Sequence, residues 1–223
     1  MPRVSSHEAM GLRERKKART RQTIERVALA LFAKRGFQAT TLAEIAEGAE
    51  IAPSTLYTYF PLKEDILFNL NDAIRESARR RISSRSSSET LVDALAAWIT
   101  TDVPELVGAD SELIRRRRAI IDSDDSLLVQ ERLRNALLED VFAEAFAEYL
   151  GETPEDLRSR LMAAVAVSGL RAIWFWWLRQ HEDGEADMRE PFTLDATYLT
   201  RLLSAAEEAI EGIPSPKELF PRS

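Results

Sequence analysis

The sequence predicts an all-α fold, and three observations predict it. Apolar residues recur at helical spacing along most of the chain. Helix-capping residues mark the ends of those periodic stretches. Strand signals are sparse, with only 8 glycines in 223 residues. That length suffices for one large or two modest domains with a sizeable core. The chain has no cysteine, which excludes disulfides, thiolate catalysis and Cys-ligated zinc.

In chain order, residues 1–12 are expected to form a disordered basic arm. Arg13, Arg15, Lys16, Lys17, Arg19 and Arg21 then open the first helix. Such a run is either a solvated face or a grip on phosphate and the minor groove, the second being favoured beside a DNA-reading motif. Ile24, Val27, Ala28, Leu31 and Phe32 give that helix one apolar face, Lys34 and Arg35 suit its last turn, and Gly36 stops it.

The segment Thr40–Phe60 reads TTLAEIAEGAEIAPSTLYTYF. Thr41-x-x-Glu44 is a capping box, and Leu42, Ile45, Ala46 and Ala49 form an apolar stripe behind it. Pro53 suits the first position of a second short helix. Two short helices joined by about three residues make a helix-turn-helix, whose second helix enters the DNA major groove. That helix offers Ser54, Thr55, Tyr57, Thr58 and Tyr59, whose hydroxyls and rings suit phosphates, base edges and thymine methyls.

The run Phe32-x-x-x-Gly36-Phe37, then Thr40-Thr41-Leu42-x-x-Ile45-Ala46, then Thr55-Leu56-Tyr57-x-Tyr59-Phe60-x-x-Lys63-Glu64 resembles the TetR (tetracycline-repressor-like) family of bacterial regulators. Three positions depart from the family pattern. Glu50 replaces the usual corner Gly, Ala52 the usual capping Ser, and Leu62 the Ser before the Lys. A lost Gly in a left-handed corner implies about 1 kcal/mol of strain, and each missing cap about as much. The resemblance implies that Lys63 contacts backbone phosphate and that the helix it opens links head to body. An amide-rich helix start with a lysine beside it is also a natural phosphate clamp.

That helix carries Ile66, Leu67, Leu70, Ile74 and Ala78 inward and ends in the serine cluster Ser83–Ser88, where the domain boundary is expected. The head is thus 13–82, the body 89–212, and the Pro-bearing tail 213–223 is expected to be mobile. Residues 1–85 hold 16 Lys/Arg and 10 Asp/Glu, whereas the remainder holds 14 and 27. A basic head on an acidic body suits one DNA-binding end.

Body helices are expected at about 89–100, 111–121, 126–150, 154–181 and 194–212, with Pro104 interrupting after the first. Leu161–Leu178 is apolar around nearly its whole circumference and long enough to span a bilayer. Arg171 at its middle and the lack of a second such segment argue for a buried helix instead. The resemblance implies that the last two long helices pair with those of a second subunit, so a homodimer through about 155–181 and 194–211 is expected. No apolar stretch adjoins the basic N-terminal residues, so a cytoplasmic location without membrane attachment is expected.

Trp98, Phe142, Phe146, Trp174 and Trp177 are core candidates singly. Family members hold a ligand between body helices, which makes the same five candidate effector contacts. Arg115–Arg118 sweep about 300° of helix, so at least one guanidinium faces inward. Either the four pair with surface acids or one, taken here as Arg117, binds an anionic ligand head. This segment and the helices after it are similar to mycofactocin-type TetR regulators, which respond to acyl-coenzyme A.

Asp122, Asp124 and Asp125 lack the Gly and distal Glu of a calcium loop, and His7 and His181 make no metal centre. No catalytic motif is present in a suitable context. The expected protein is a ligand-responsive repressor, not an enzyme. It needs no cofactor and holds a double-stranded operator through Arg19, Thr41, Ser54, Thr55, Tyr57, Thr58, Tyr59 and Lys63. The expected effector is small and hydrophobic or acyl-type. The alternatives are an effector-independent architectural dimer and a helical enzyme acting on a hydrophobic substrate.

Overall fold

The computed structural model describes residues 6–108, 110–181 and 190–211. Among them the chain forms ten α-helices and one π-helical turn, with no strand. In order these are α1 (Ser6–Arg35), α2 (Leu42–Gly48), α3 (Pro53–Tyr59), α4 (Lys63–Ser83), α5 (Leu91–Ala97), the π-helical turn Trp98–Asp102, α6 (Val103–Val107), α7 (Ser111–Asp122), α8 (Asp125–Leu150), α9 (Leu157–Gln180) and α10 (Glu190–Glu211).

The chain divides into two compact units. One is Met1–Asn69 with Glu112–Leu128, and the other is Leu70–Ser111 with Val129–Ser223. The division falls inside α4, not at the serine cluster. Composition marks where a chain can loop, but a helix can serve two cores along its length. Ile66, Leu67 and Phe68 of α4 lie in the first core, and Ala78 and Ile82 in the second. The first core also takes Ile120 and Ile121 of α7 and Leu127 of α8, segments expected to belong to the body.

Other boundaries moved for local reasons. α1 begins at Ser6, so residues 6–12 are helical where an arm was expected, while residues 1–5 and the tail from 213 lie outside the described residues. Pro104 does not interrupt the helix. It sits in the first turn of α6, just after the π-helical turn, whose looser hydrogen bonding accommodates its missing donor. Pro191 likewise fits the first turn of α10, which starts before Leu194.

In the first unit, α2 is nucleated as its sequence implies. Thr41 accepts from the Glu44 amide at 3.2 Å while the Thr41 amide donates to Glu44 Oε2 at 2.8 Å, closing the capping box. Arg35 pairs with Glu44 Oε1 at 2.6 Å and joins the end of α1 to α2. A Cβ on Gly48 would lie 2.8 Å from Val27 Cγ1, which marks how closely α2 lies on α1. The corner after α2 is a Schellman turn. The Ile51 amide donates to Ala46 O at 3.0 Å and the Glu50 amide to Glu47 O at 3.0 Å. Glu50 takes the left-handed position that such a turn requires, with φ 56°. Ala52 then caps α3 with extended backbone and no side-chain hydrogen bond.

Both departures should be reparable. Glu50→Gly removes a Cβ from a left-handed site, and Ala52→Ser adds the missing acceptor. Each is expected to stabilise the protein by about 1 kcal/mol, or roughly 2–4 °C in Tm for a chain of this size. Thermal unfolding of the two single variants checks this; an unchanged or lowered Tm for both would contradict the corner geometry.

Candidate functional site

α3 is held by one residue and offers the others. Leu56 is fully buried, and Phe60 behind it is buried too, with the Arg21 guanidinium 4.8 Å from the centre of its ring. Burial of Leu56 turns Ser54, Thr55, Tyr57 and Thr58 outward, all of them exposed. Tyr57 is 53% exposed. The Thr58 hydroxyl donates to Ser54 O at 3.0 Å, which leaves its lone pairs for an outside donor. Tyr59 is half-buried and packs against the first core, so it divides its surface between support and display. Arg19 is exposed on α1.

Two expected contacts are already engaged inside the protein. The Thr41 hydroxyl serves the capping box and also donates to Glu44 Oε2 at 2.9 Å. Lys63 is not poised as an open phosphate clamp. Its Nζ donates to Phe37 O at 2.6 Å, Thr40 O at 2.9 Å and Gln38 O at 3.4 Å, and lies 4.3 Å from the centre of the Phe37 ring. The connection between α1 and α2 leaves these carbonyls unpaired by helix bonds, and an ammonium has three donors to give. Spacing along α4 carries no signal of this closure, because the carbonyls come from residues more than twenty positions earlier. The Leu62 amide, beside it, donates to Asp65 Oδ2 at 2.9 Å, so Asp65 supplies part of the cap that Leu62 cannot.

Arg117 is the inward-facing member of its run, and it is buried within the first unit. It is 9% exposed and its NH2 group donates to Glu25 Oε2 at 3.2 Å. Asn69 Nδ2 donates to Glu25 Oε1 at 2.6 Å, and Arg21 lies 3.6 Å from the same oxygen. Burial lowers the Arg117 pKa and Glu25 opposes that shift. Its neighbours satisfy nearby acids: Arg116 reaches Glu112 at 3.2 Å, and Arg118 reaches Asp122 at 2.6 Å. The anchor for an anionic head that the sequence suggested is thus an internal ion pair of the first unit. Its acidic partner, Glu25, gave no signal within the local sequence.

The five aromatic candidates all lie in the second unit. Trp98 and Phe142 pack edge to face at 5.8 Å, and Trp98 Nε1 donates to Ser77 Oγ at 2.8 Å. Phe146 is buried beside them. Trp174 stacks on Trp177 at 6.3 Å and meets Phe192 at 5.6 Å. Asp195, unmarked at first reading, is 4% exposed on the face of α10 that also carries Phe192 and Leu199. Burial pushes its carboxyl up to about 8. Its signal in the sequence was an acid occupying an apolar-stripe position. No group of three or more potential metal ligands occurs among the described residues.

A helix-turn-helix unit with an exposed polar second helix, joined to an aromatic helical unit, defines a class: DNA-binding regulators with a helical companion domain. The model described as "Bacterial regulatory proteins, tetR family" matches residues 24–70, and that for the MftR C-terminal domain matches residues 89–201. The HTH-type transcriptional regulator TcmR of Streptomyces glaucescens is 30% identical over 183 residues, covering 79% of this chain and 81% of that protein. LuxR of Vibrio harveyi is 32% identical over 99 residues, covering 43% and 46%. Among solved structures, the SmeT–triclosan complex aligns with a TM-score of 0.56 at 19% identity, covering 84% of this chain and 90% of that one. FadR of Bacillus subtilis with stearoyl-CoA aligns with a TM-score of 0.54 at 20% identity, covering 83% and 98%. The chain belongs to the TetR family of DNA-binding transcriptional regulators.

Two expectations follow from the geometry. Lys63→Met should take the ammonium from the Thr40 carbonyl, leave Phe37 O with only the Thr40 amide at 3.3 Å, and cost about 1–3 kcal/mol of stability in urea unfolding. The salt slope of DNA binding should stay unchanged; a slope lowered by about 1 would instead place the ammonium on a phosphate. For Asp195, the unfolded carboxyl titrates near 3.9 and the folded one at about 8. The folded state therefore holds a proton that the unfolded chain has released, and stability from this group declines as pH rises through that window. Urea midpoints of wild type should fall steadily relative to Asp195→Asn between pH 5 and pH 8, whereas parallel curves would contradict the burial.

Proposed function

We propose that the protein is a repressor that holds a palindromic or near-palindromic operator as a homodimer and leaves it when a small, mainly apolar effector binds the body. One observation carries the DNA contact. Leu56 is locked in the core while Ser54, Thr55, Tyr57 and Thr58 stand outward on α3, the arrangement a recognition helix needs. Arg19 and its basic neighbours on α1 add sequence-independent attraction to phosphate.

The dimer reading rests on α9 and α10. α9 is long and apolar enough to cross a membrane, with a mean hydropathy of 1.5 over its most apolar window, yet only 33% of that window is buried within the chain. Leu157, Leu161 and Trp176 on α9, with Tyr198 and Leu202 on α10, leave large apolar surface outside. A second copy covering this surface accounts for it without a membrane, and it fits a chain of this family. The effector reading rests on the aromatic core of the second unit and on the continuity of α4 from one unit into the other. An effector can drive release only by binding the DNA-incompetent conformation more tightly than the competent one.

Fluorescence anisotropy on labelled DNA from just upstream of the protein's own reading frame, against random DNA, tests the regulator directly. Tyr57→Ala should lose about 1–3 kcal/mol on the specific site and little on random DNA. Equal losses on both would remove Tyr57 from base reading.

A further inference from the structure

Five polar or charged side chains are buried among the described residues: Thr40, Ser77, Arg117, Ser159 and Asp195. Four make at least one hydrogen bond inside the chain. Thr40 donates to Gly36 O at 2.9 Å, Ser77 donates to Ile74 O at 2.8 Å and accepts from Trp98, Arg117 pairs with Glu25, and Ser159 donates to Glu152 Oε2 at 3.2 Å. Arg117 keeps one buried atom, Nε, without a hydrogen-bond partner, and Asp195 supplies the one carboxyl oxygen in that position among the described residues, Oδ1. An unmet buried carboxyl oxygen costs stability.

Its surroundings specify what would satisfy it. Asp195 lies one turn after Phe192, whose ring is 5.6 Å from Trp174, which in turn stacks on Trp177. α10 packs against α9, α5 and the π-helical turn Trp98–Asp102, a backbone irregularity frequent at functional sites. A buried carboxyl attracts a cation through charge, and aromatic rings in the same unit can add the attraction of their quadrupoles. A neutral ligand group would recover one ordinary hydrogen bond, and a carboxylate would place like charges together. Arg117, the one buried cation among the described residues, is committed to Glu25 in the first unit.

We propose that Asp195 is the polar anchor of an effector subsite in the second unit, and that the subsite takes a lipophilic amine. The inference rests on the ligand-responsive reading above and narrows its effector to one chemical class. Burial leaves the carboxyl neutral near pH 7, and an ammonium at Oδ1 would make it ionise, handing its proton to solvent.

The test is calorimetric titration of the full-length protein with three probes of matched shape: 2-(2-naphthyl)ethylamine, 2-(2-naphthyl)ethanol and 2-naphthylacetate. The amine is expected to bind at least about tenfold more tightly than the alcohol, with the carboxylate weakest. Asp195→Asn, which keeps the shape and removes the charge, is expected to erase the preference for the amine. Equal binding of amine and alcohol, an unchanged preference in Asp195→Asn, or no binding of the amine would each overturn the proposal. Anisotropy on the upstream DNA separates the two readings. Amine bound through Asp195 without DNA release would keep the subsite and sink its effector role, whereas failure to prefer the upstream DNA would sink the regulator reading alone.

Discussion

The arrangement of the DNA-binding unit depends on one ammonium group. Where α1 ends and α2 has not begun, the chain must turn, and its carbonyls lose the helix partners they would otherwise have. Lys63 answers from the start of α4 by donating to three of them while its charge rests on the Phe37 ring. Three elements that are distant along the chain are fixed to each other at a single point. The capping box of α2, the Arg35–Glu44 pair and the close approach at Gly48 then set α2 on α1. The orientation of α3 follows from the burial of Leu56 in that core.

The same unit recruits a segment from far along the chain. Ile120, Ile121 and Leu127 complete its core, and Arg117 reaches Glu25, which also accepts from Asn69. A buried pair of this kind is weak evidence for net stability, but breaking one side of it leaves a charge without compensation. It therefore fixes which segment docks where. In the second unit the logic is inverted. Apolar packing of α5, α8, α9 and α10 supplies the cohesion, and among its buried polar side chains Asp195 keeps an oxygen without a partner.

Much of this was legible because it is local. The capping box, the stop at Gly36, the apolar faces and the outward polar set of α3 depend on residues within a turn or two of each other. The left-handed strain at Glu50 and the bare cap at Ala52 were legible for the same reason. The internal hydrogen bonds of Lys63 carry no local signal, because its carbonyl partners come from a different part of the chain. Sweep around a helix predicts that one guanidinium of Arg115–Arg118 points inward, as Arg117 does, without saying into which core.

The sequence by itself determined the helices, the helix-turn-helix and the polar face of α3, since backbone hydrogen bonding and side-chain periodicity act over a few residues. Only the tertiary structure decided that α4 is divided between two units, that α7 packs with the first of them, and which polar side chains find partners. Those outcomes depend on groups 44 and 92 positions apart meeting, as at Glu25 with Asn69 and with Arg117. No local pattern encodes such a meeting. Packing within each unit brings Arg117 to Glu25 and leaves Asp195 Oδ1 without a hydrogen-bond partner.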